Sequence, residues 1–108
     1  MSENFCFVPE ICFSFAGERD DYVRFYSIDS DGKDNNIENH LENTQALKIL
    51  DVSNEVQILL GSENSFSGCL IPVIQDGQYV AVRILPMFKI SLEAGKSWSN
   101  EFSLKFSH

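Results

Sequence analysis

Residues 27–38 carry oxygen donors at spacings that a calcium loop would use. Laid on a twelve-residue loop of that kind, Asp29 falls at position 3, Asp31 at 5, Gly32 at 6 and Glu38 at 12. Gly32 would supply the sharp turn and Glu38 the bidentate carboxylate. Two residues depart from that chemistry. Ser27 stands where the first carboxylate belongs, and Asp34 occupies a position normally apolar. The flanks do not read as two amphipathic helices, so a solvated turn is the favoured expectation and no metal is assigned.

Nucleophilic chemistry needs a base beside the nucleophile. The chain has three cysteines, Cys6, Cys12 and Cys69, and two histidines, His40 and His108. His40 lies in a polar Asn/Glu stretch and His108 is the last residue, so neither is placed for a triad. The Cys6-x5-Cys12 spacing matches no common zinc pattern. An odd cysteine count argues for reduced thiols rather than a disulfide framework. There is no Gly-rich phosphate loop. The expectation is a protein that is not an enzyme, with no catalytic residues and no cofactor.

Acidic residues are the one regional feature above background. The net charge is −8 over 108 residues. Through Glu63 there are thirteen acidic and four basic residues, and from Asn64 onward three acidic and four basic. Such a balance disfavours direct nucleic-acid binding, which needs a basic face. Glu18, Asp20, Asp21, Asp29, Asp31, Asp34, Glu38 and Glu42 form the candidate partner-binding set. Two uses fit them: steering toward a basic protein, or keeping a Phe-rich sheet protein in solution.

The elements that must position these side chains are strands. Asp76-Gly77 sits between two apolar runs and predicts a two-residue hairpin, because both central residues of a type I′ turn need φ > 0. Alternation of period two runs through residues 11–15, 22–28, 55–60, 79–85, 88–92 and 102–106. Pro9-Glu10 predicts a turn or a bulge that breaks one edge strand, and Pro72 an edge or a bulge. Pro86 is expected to break its run, and residues 61–67 read as a Ser/Asn-rich loop. Asn35 with Glu38 resembles a capping box, and Ile37 and Leu41 share a helical face, so one short α-helix near residues 36–44 is expected. The expected core is Phe13, Phe15, Phe25, Ile58, Leu60, Val80, Val82, Ile84, Phe88, Ile90, Leu92, Phe102, Leu104 and Phe106.

Two resemblances accompany this reading. Phe13-Ser14-Phe15-Ala16-Gly17-Glu18-Arg19-Asp20-Asp21-Tyr22-Val23 resembles the opening strand and loop of bacterial TIR domains. That likeness would imply a doubly wound α/β fold with a catalytic Glu. Beyond Val23 the residues turn to Asp/Asn turn chemistry, and the chain is short for that fold. Residues 90–104 look like the late strand, corner and strand of immunoglobulin-like sandwiches, a likeness of architecture alone.

The fold expected is a single mainly β domain over residues 1–108, an antiparallel β-sandwich, immunoglobulin-like or barrel-like. The function expected is a non-catalytic acidic protein-binding module of the inhibitor or antidote type, such as an immunity protein or phage antagonist. Its partner would be a basic protein such as a nuclease or nucleic-acid-binding protein, with Tyr22, Tyr26 or Trp98 as apolar anchors. The alternatives are a small-ligand or glycan-binding module using Trp98 or Tyr79, and a structural assembly subunit. No apolar run is long enough to span a bilayer as a helix and no secretory start is evident, so a cytoplasmic location is expected.

Overall fold

The Asp76-Gly77 turn forms as its residue types dictate. Asp76 has φ 52° and Gly77 φ 77°, the paired positive values of a type I′ connection. Gln75 faces Gln78 across the turn, and β6 (Val56–Gln75) and β7 (Gln78–Glu93) run antiparallel from it. The chain is seen in a computed structural model that describes residues 2–14, 23–29, 31–52 and 55–108. The expectations placed on Phe15, Glu18, Asp20, Asp21 and Tyr22 lie outside the described residues, as does the side chain of Tyr79.

Six further strands complete the fold: β1 (Ser2–Phe7), β2 (Ile11–Ser14), β3 (Val23–Ile28), β4 (Asp34–Ile37), β5 (His40–Asp51) and β8 (Phe102–Ser107). Every pairing is antiparallel. The order is β1-β7-β6-β5-β3-β4, with β2 also on β7 and β8 also on β6. The mainly β, antiparallel class expected from the sequence is therefore the one adopted. The doubly wound α/β fold implied by the TIR resemblance is not formed.

The short helix expected near residues 36–44 is absent. Asn36 lies in β4, Glu38-Asn39 bend the chain, and β5 begins at His40. The cap-like spacing is a local signal worth little beside tertiary burial. In extended backbone Ile37 faces Phe25, and Leu41 is fully buried. Asn43 has φ 45°, which no α-helix accommodates. It sits in a β-bulge between Leu41 and Thr44. A second register shift follows before Ala46, so β5 and β6 bend together there. On the other side of the bulge the ladder runs one step past His40 and Cys69, where the backbone N–H of Leu70 donates to Asn39 O at 2.8 Å.

Residues 61–67 form the middle of β6 rather than a loop. Their polar groups are met by a distant side chain. Asn100 Oδ1 accepts from Asn64 N and Asn64 Nδ2, both at 2.8 Å, and from Ser62 Oγ at 3.1 Å. Nor does Pro86 break its strand. It is fully buried inside β7, opposite Gly68. Ser67 and Met87 are the last pair of the β6–β7 ladder; beyond it β8 takes the vacated flank of β6 from Gln57 to Ser62. β7 continues with β1 alone. Gly68 permits this crossing: its φ is 145°, and a Cβ there would stand 2.0 Å from Leu85 O.

Both expectations about proline at the edge are met. β1 and β2 lie on one flank of β7 in a single register, Phe7 facing Phe88 and Ile11 facing Ile84, so residues 8–10 interrupt one edge strand. β5 follows β6 only to Cys69, which leaves Pro72 with a strand ladder on one side only among the described residues.

Of the expected core, Phe25, Ile58, Leu60, Val82, Ile84, Phe88 and Ile90 are buried, and Phe13, Leu92 and Phe102 pack against them. Leu104 and Phe106 are instead 49% and 61% exposed, because among the described residues β8 has a strand only on its β6 side. Leu41, Leu47, Ile49, Phe66 and Leu70 fill the core that those two were expected to fill. Leu47→Ala should cost about 2–5 kcal/mol in urea denaturation. Gly68→Ala should cost on the order of 3 kcal/mol or prevent folding, whereas Leu104→Ser should change stability by no more than about 0.5 kcal/mol.

Candidate functional site

The acidic candidates divide according to what the chain already uses them for. Asp29 opens the β3–β4 turn, and its Oδ1 accepts the N–H groups of Asp31 and Lys33, both at 3.0 Å. Its Oδ2 lies 3.5 Å from Asn35 Nδ2. Gly32, with φ 77°, donates its N–H to Asp29 O at 3.0 Å. The Lys33 N–H, helped by those of Asp31 and Asn35 and opposed by partial desolvation, holds the Asp29 carboxyl below its usual range. This is an Asx-type turn, in which carboxylate oxygens face backbone donors. The flanks are strands, so the helix–loop–helix geometry of a calcium loop is not formed. Among the described residues no group of three or more metal-ligating side chains gathers.

Asp34 is also engaged. It ion-pairs with Lys48, whose ammonium sits 5.2 Å from the centre of the Tyr26 ring. Asp31 and Glu38 are exposed, and Glu42 lies 3.8 Å from His40 Nε2. The structure therefore places Asp29, Asp31 and Asp34 at the turn end of the β3–β4 hairpin, and Glu38 at its open end. Glu42 lies beyond, in the β5 bend. Glu18, Asp20 and Asp21 lie outside the described residues.

Two grooves bring together residues that sequence spacing did not. One of about 500 Å³ is lined by His40, Glu42, Asn43, Phe66, Met87 and Lys89, with Ser65 and Ser67. It joins an imidazole, a carboxylate and an ammonium over the bulged part of β5. The other, of about 460 Å³, is apolar and lined by Phe5, Cys6, Phe7, Ile90, Leu92 and Trp98. The Trp98 indole packs 5.2 Å from the Phe88 ring and 6.3 Å from the Phe7 ring. Phe5 and Phe7 remain 49% and 47% exposed. Period-two alternation marked the β7 half of this groove. Nothing in the sequence indicated that β1, more than eighty residues earlier, supplies the other wall.

Among the described residues no helix is long and apolar enough to cross a membrane. The three cysteines are free, with Cys6 and Cys12 exposed and Cys69 half-buried. The chain matches no family model, no curated protein and no solved structure. What the geometry defines is a class: an antiparallel β protein with an acid-decorated hairpin and an apolar groove beside an edge strand.

The Asp29 turn has a definite pH response. Its native carboxyl titrates below the ordinary value of 3.8. The turn's electrostatic contribution is therefore complete above that value and is lost as pH falls through the lower native one. In a pH titration by NMR, the Asp31 and Lys33 amide resonances should hold steady down to about pH 4 and move only below it. Asp29→Ala should lower the melting temperature at pH 7, and its gap from wild type should narrow below about pH 4.

Proposed function

We propose that the protein is a non-catalytic, acidic protein-binding module of the inhibitor or antidote type, acting on a basic partner such as a nuclease or nucleic-acid-binding protein. One observation carries this reading. After the fold has used Asp29 for a turn and Asp34 for an ion pair, Asp31 and Glu38 remain exposed without a counter-ion among the described residues, and Glu42 is exposed with the His40 imidazole 3.8 Å away. On a chain of net charge −8 these carboxylates add to a long-range field that speeds encounter with a basic surface. Free thiols fit a reducing compartment, which supports a cytoplasmic location.

The test is capture from host lysate at about 50 mM salt followed by elution with rising salt, where screening shortens from about 14 Å toward 4 Å. A basic protein should be retained and then released as salt rises. The Asp31→Asn, Glu38→Gln, Glu42→Gln triple variant should associate with it about ten-fold more slowly. Retention that ignores salt, or a triple variant that binds as fast as wild type, would overturn the reading. The groove beside half-buried Trp98 supports a second reading, a small-ligand or glycan module. In that case the indole fluorescence would respond to a sugar panel and not to the triple substitution.

A further inference from the structure

The two ends of the sheet are built differently. β4, at one end, presents Asp34, Asn35 and Asn36, all exposed, a polar edge of the kind that discourages further strand pairing. β1, at the other, presents Phe5, Cys6 and Phe7, all exposed, with Val8 beyond. Among the described residues β1 pairs only with β7, so its outer row of backbone N–H and C=O groups has no strand beside it. Pro9 follows Val8 and cannot donate to a ladder, which bounds any added strand at that end.

Side-chain direction sharpens the site. Cross-strand partners share a face, so Glu3 with Leu92, Phe5 with Ile90 and Phe7 with Phe88 form one row. Trp98 closes over that row at the Phe7 end. The groove is thus apolar at two alternate positions and ends at a carboxylate, Glu3, which has no ion pair among the described residues. Glu93, opposite Ser2, adds a second exposed carboxylate at the same end, on the other face.

We propose that β1 receives an extended segment of the basic partner as an added strand. Two alternate apolar side chains of that segment enter the groove beside Phe5, Phe7 and Trp98, and a lysine or arginine two residues further along meets Glu3. Backbone pairing supplies affinity, and alternate side chains supply specificity. The charge of the occupant rests on the basic-partner reading above. The strand addition rests on the edge and the groove alone.

The test uses the full chain, labelled with nitrogen-15 and titrated with blocked hexapeptides that alternate valine with threonine and carry a lysine at one end or the other. Amide shifts should concentrate in residues 3–7 and at the Trp98 indole. Glutamate in place of the lysine should weaken binding by roughly two- to five-fold, the worth of one exposed ion pair. Glu3→Lys, at an exposed side chain with no ion pair among the described residues, should reverse that preference. Methylation of alternate peptide nitrogens should abolish binding in one register and spare it in the other. Shifts that map elsewhere, or binding indifferent to methylation, would overturn the proposal, as would self-association through β1 in place of peptide binding.

Failure of the two readings is distinguishable. If the peptides do not dock and Glu3→Lys leaves capture of the salt-eluted protein unchanged, the edge proposal fails and the basic-partner reading stands. If the peptides dock as expected and no basic protein is retained, only the partner reading fails.

Discussion

The whole arrangement depends on how closely two backbones approach at Gly68. Leu85 O lies where a side chain would begin, so only a residue without Cβ can occupy the crossing. Opposite it stands Pro86, which offers no N–H and tolerates the loss of a ladder partner. At this pinch β7 leaves β6, β8 enters beside β6, and β7 goes on to meet β1. The two longest strands thereby serve as frames for different neighbours along their lengths. The rings of Phe66, Phe88, Trp98 and Phe102 gather where the strands diverge, with Phe88 within 6 Å of each of the others.

The same divergence separates the two surfaces of interest. Exposed Asp31, Glu38 and Glu42 lie on the β3–β4 hairpin and the β5 bend, while the apolar groove, with Glu3 at its end, forms on β1 and the far half of β7. On the proposed reading, long-range attraction would come mainly from the first surface and short-range apolar contact from the second. A charge field acts over roughly a Debye length and need not touch its partner, whereas a groove must.

What the sequence revealed were features set by local chemistry. Asp76-Gly77 specified its turn, the alternation of Val23 with Phe25 and of Val82 with Ile84 specified buried faces, and Pro9 and Pro72 marked an interruption and an edge. Features decided by distant partners were hidden. Residues 61–67 look like a loop until Asn100, more than thirty residues later, satisfies Asn64. Pro86 looks like a stop until Gly68 faces it. The helix expected near residues 36–44 had a cap and a stripe but no knowledge of the bulge at Asn43. Leu104 and Phe106 carry the correct period for burial, yet a strand with one neighbour leaves them outside. The acidic set was visible as composition. Its division into turn-building, paired and free carboxylates was not, because that depends on hydrogen bonds at Asp29 and on Lys48 reaching Asp34.

The pairing of Ser2 with Glu93 has a consequence for how the chain comes into being. β1 waits through some eighty to ninety residues of synthesis for β7, its one pairing partner among the described residues. At roughly 5–20 residues per second, that wait is on the order of 5–20 s. Through that interval Phe5 and Phe7 lack the strand that pairs with theirs, and their rings must be kept in solution. Non-local closure of this kind also belongs to the slow class of small-domain folding, milliseconds to seconds. β1 is thus an open apolar edge during synthesis and stays one until β7 has been made.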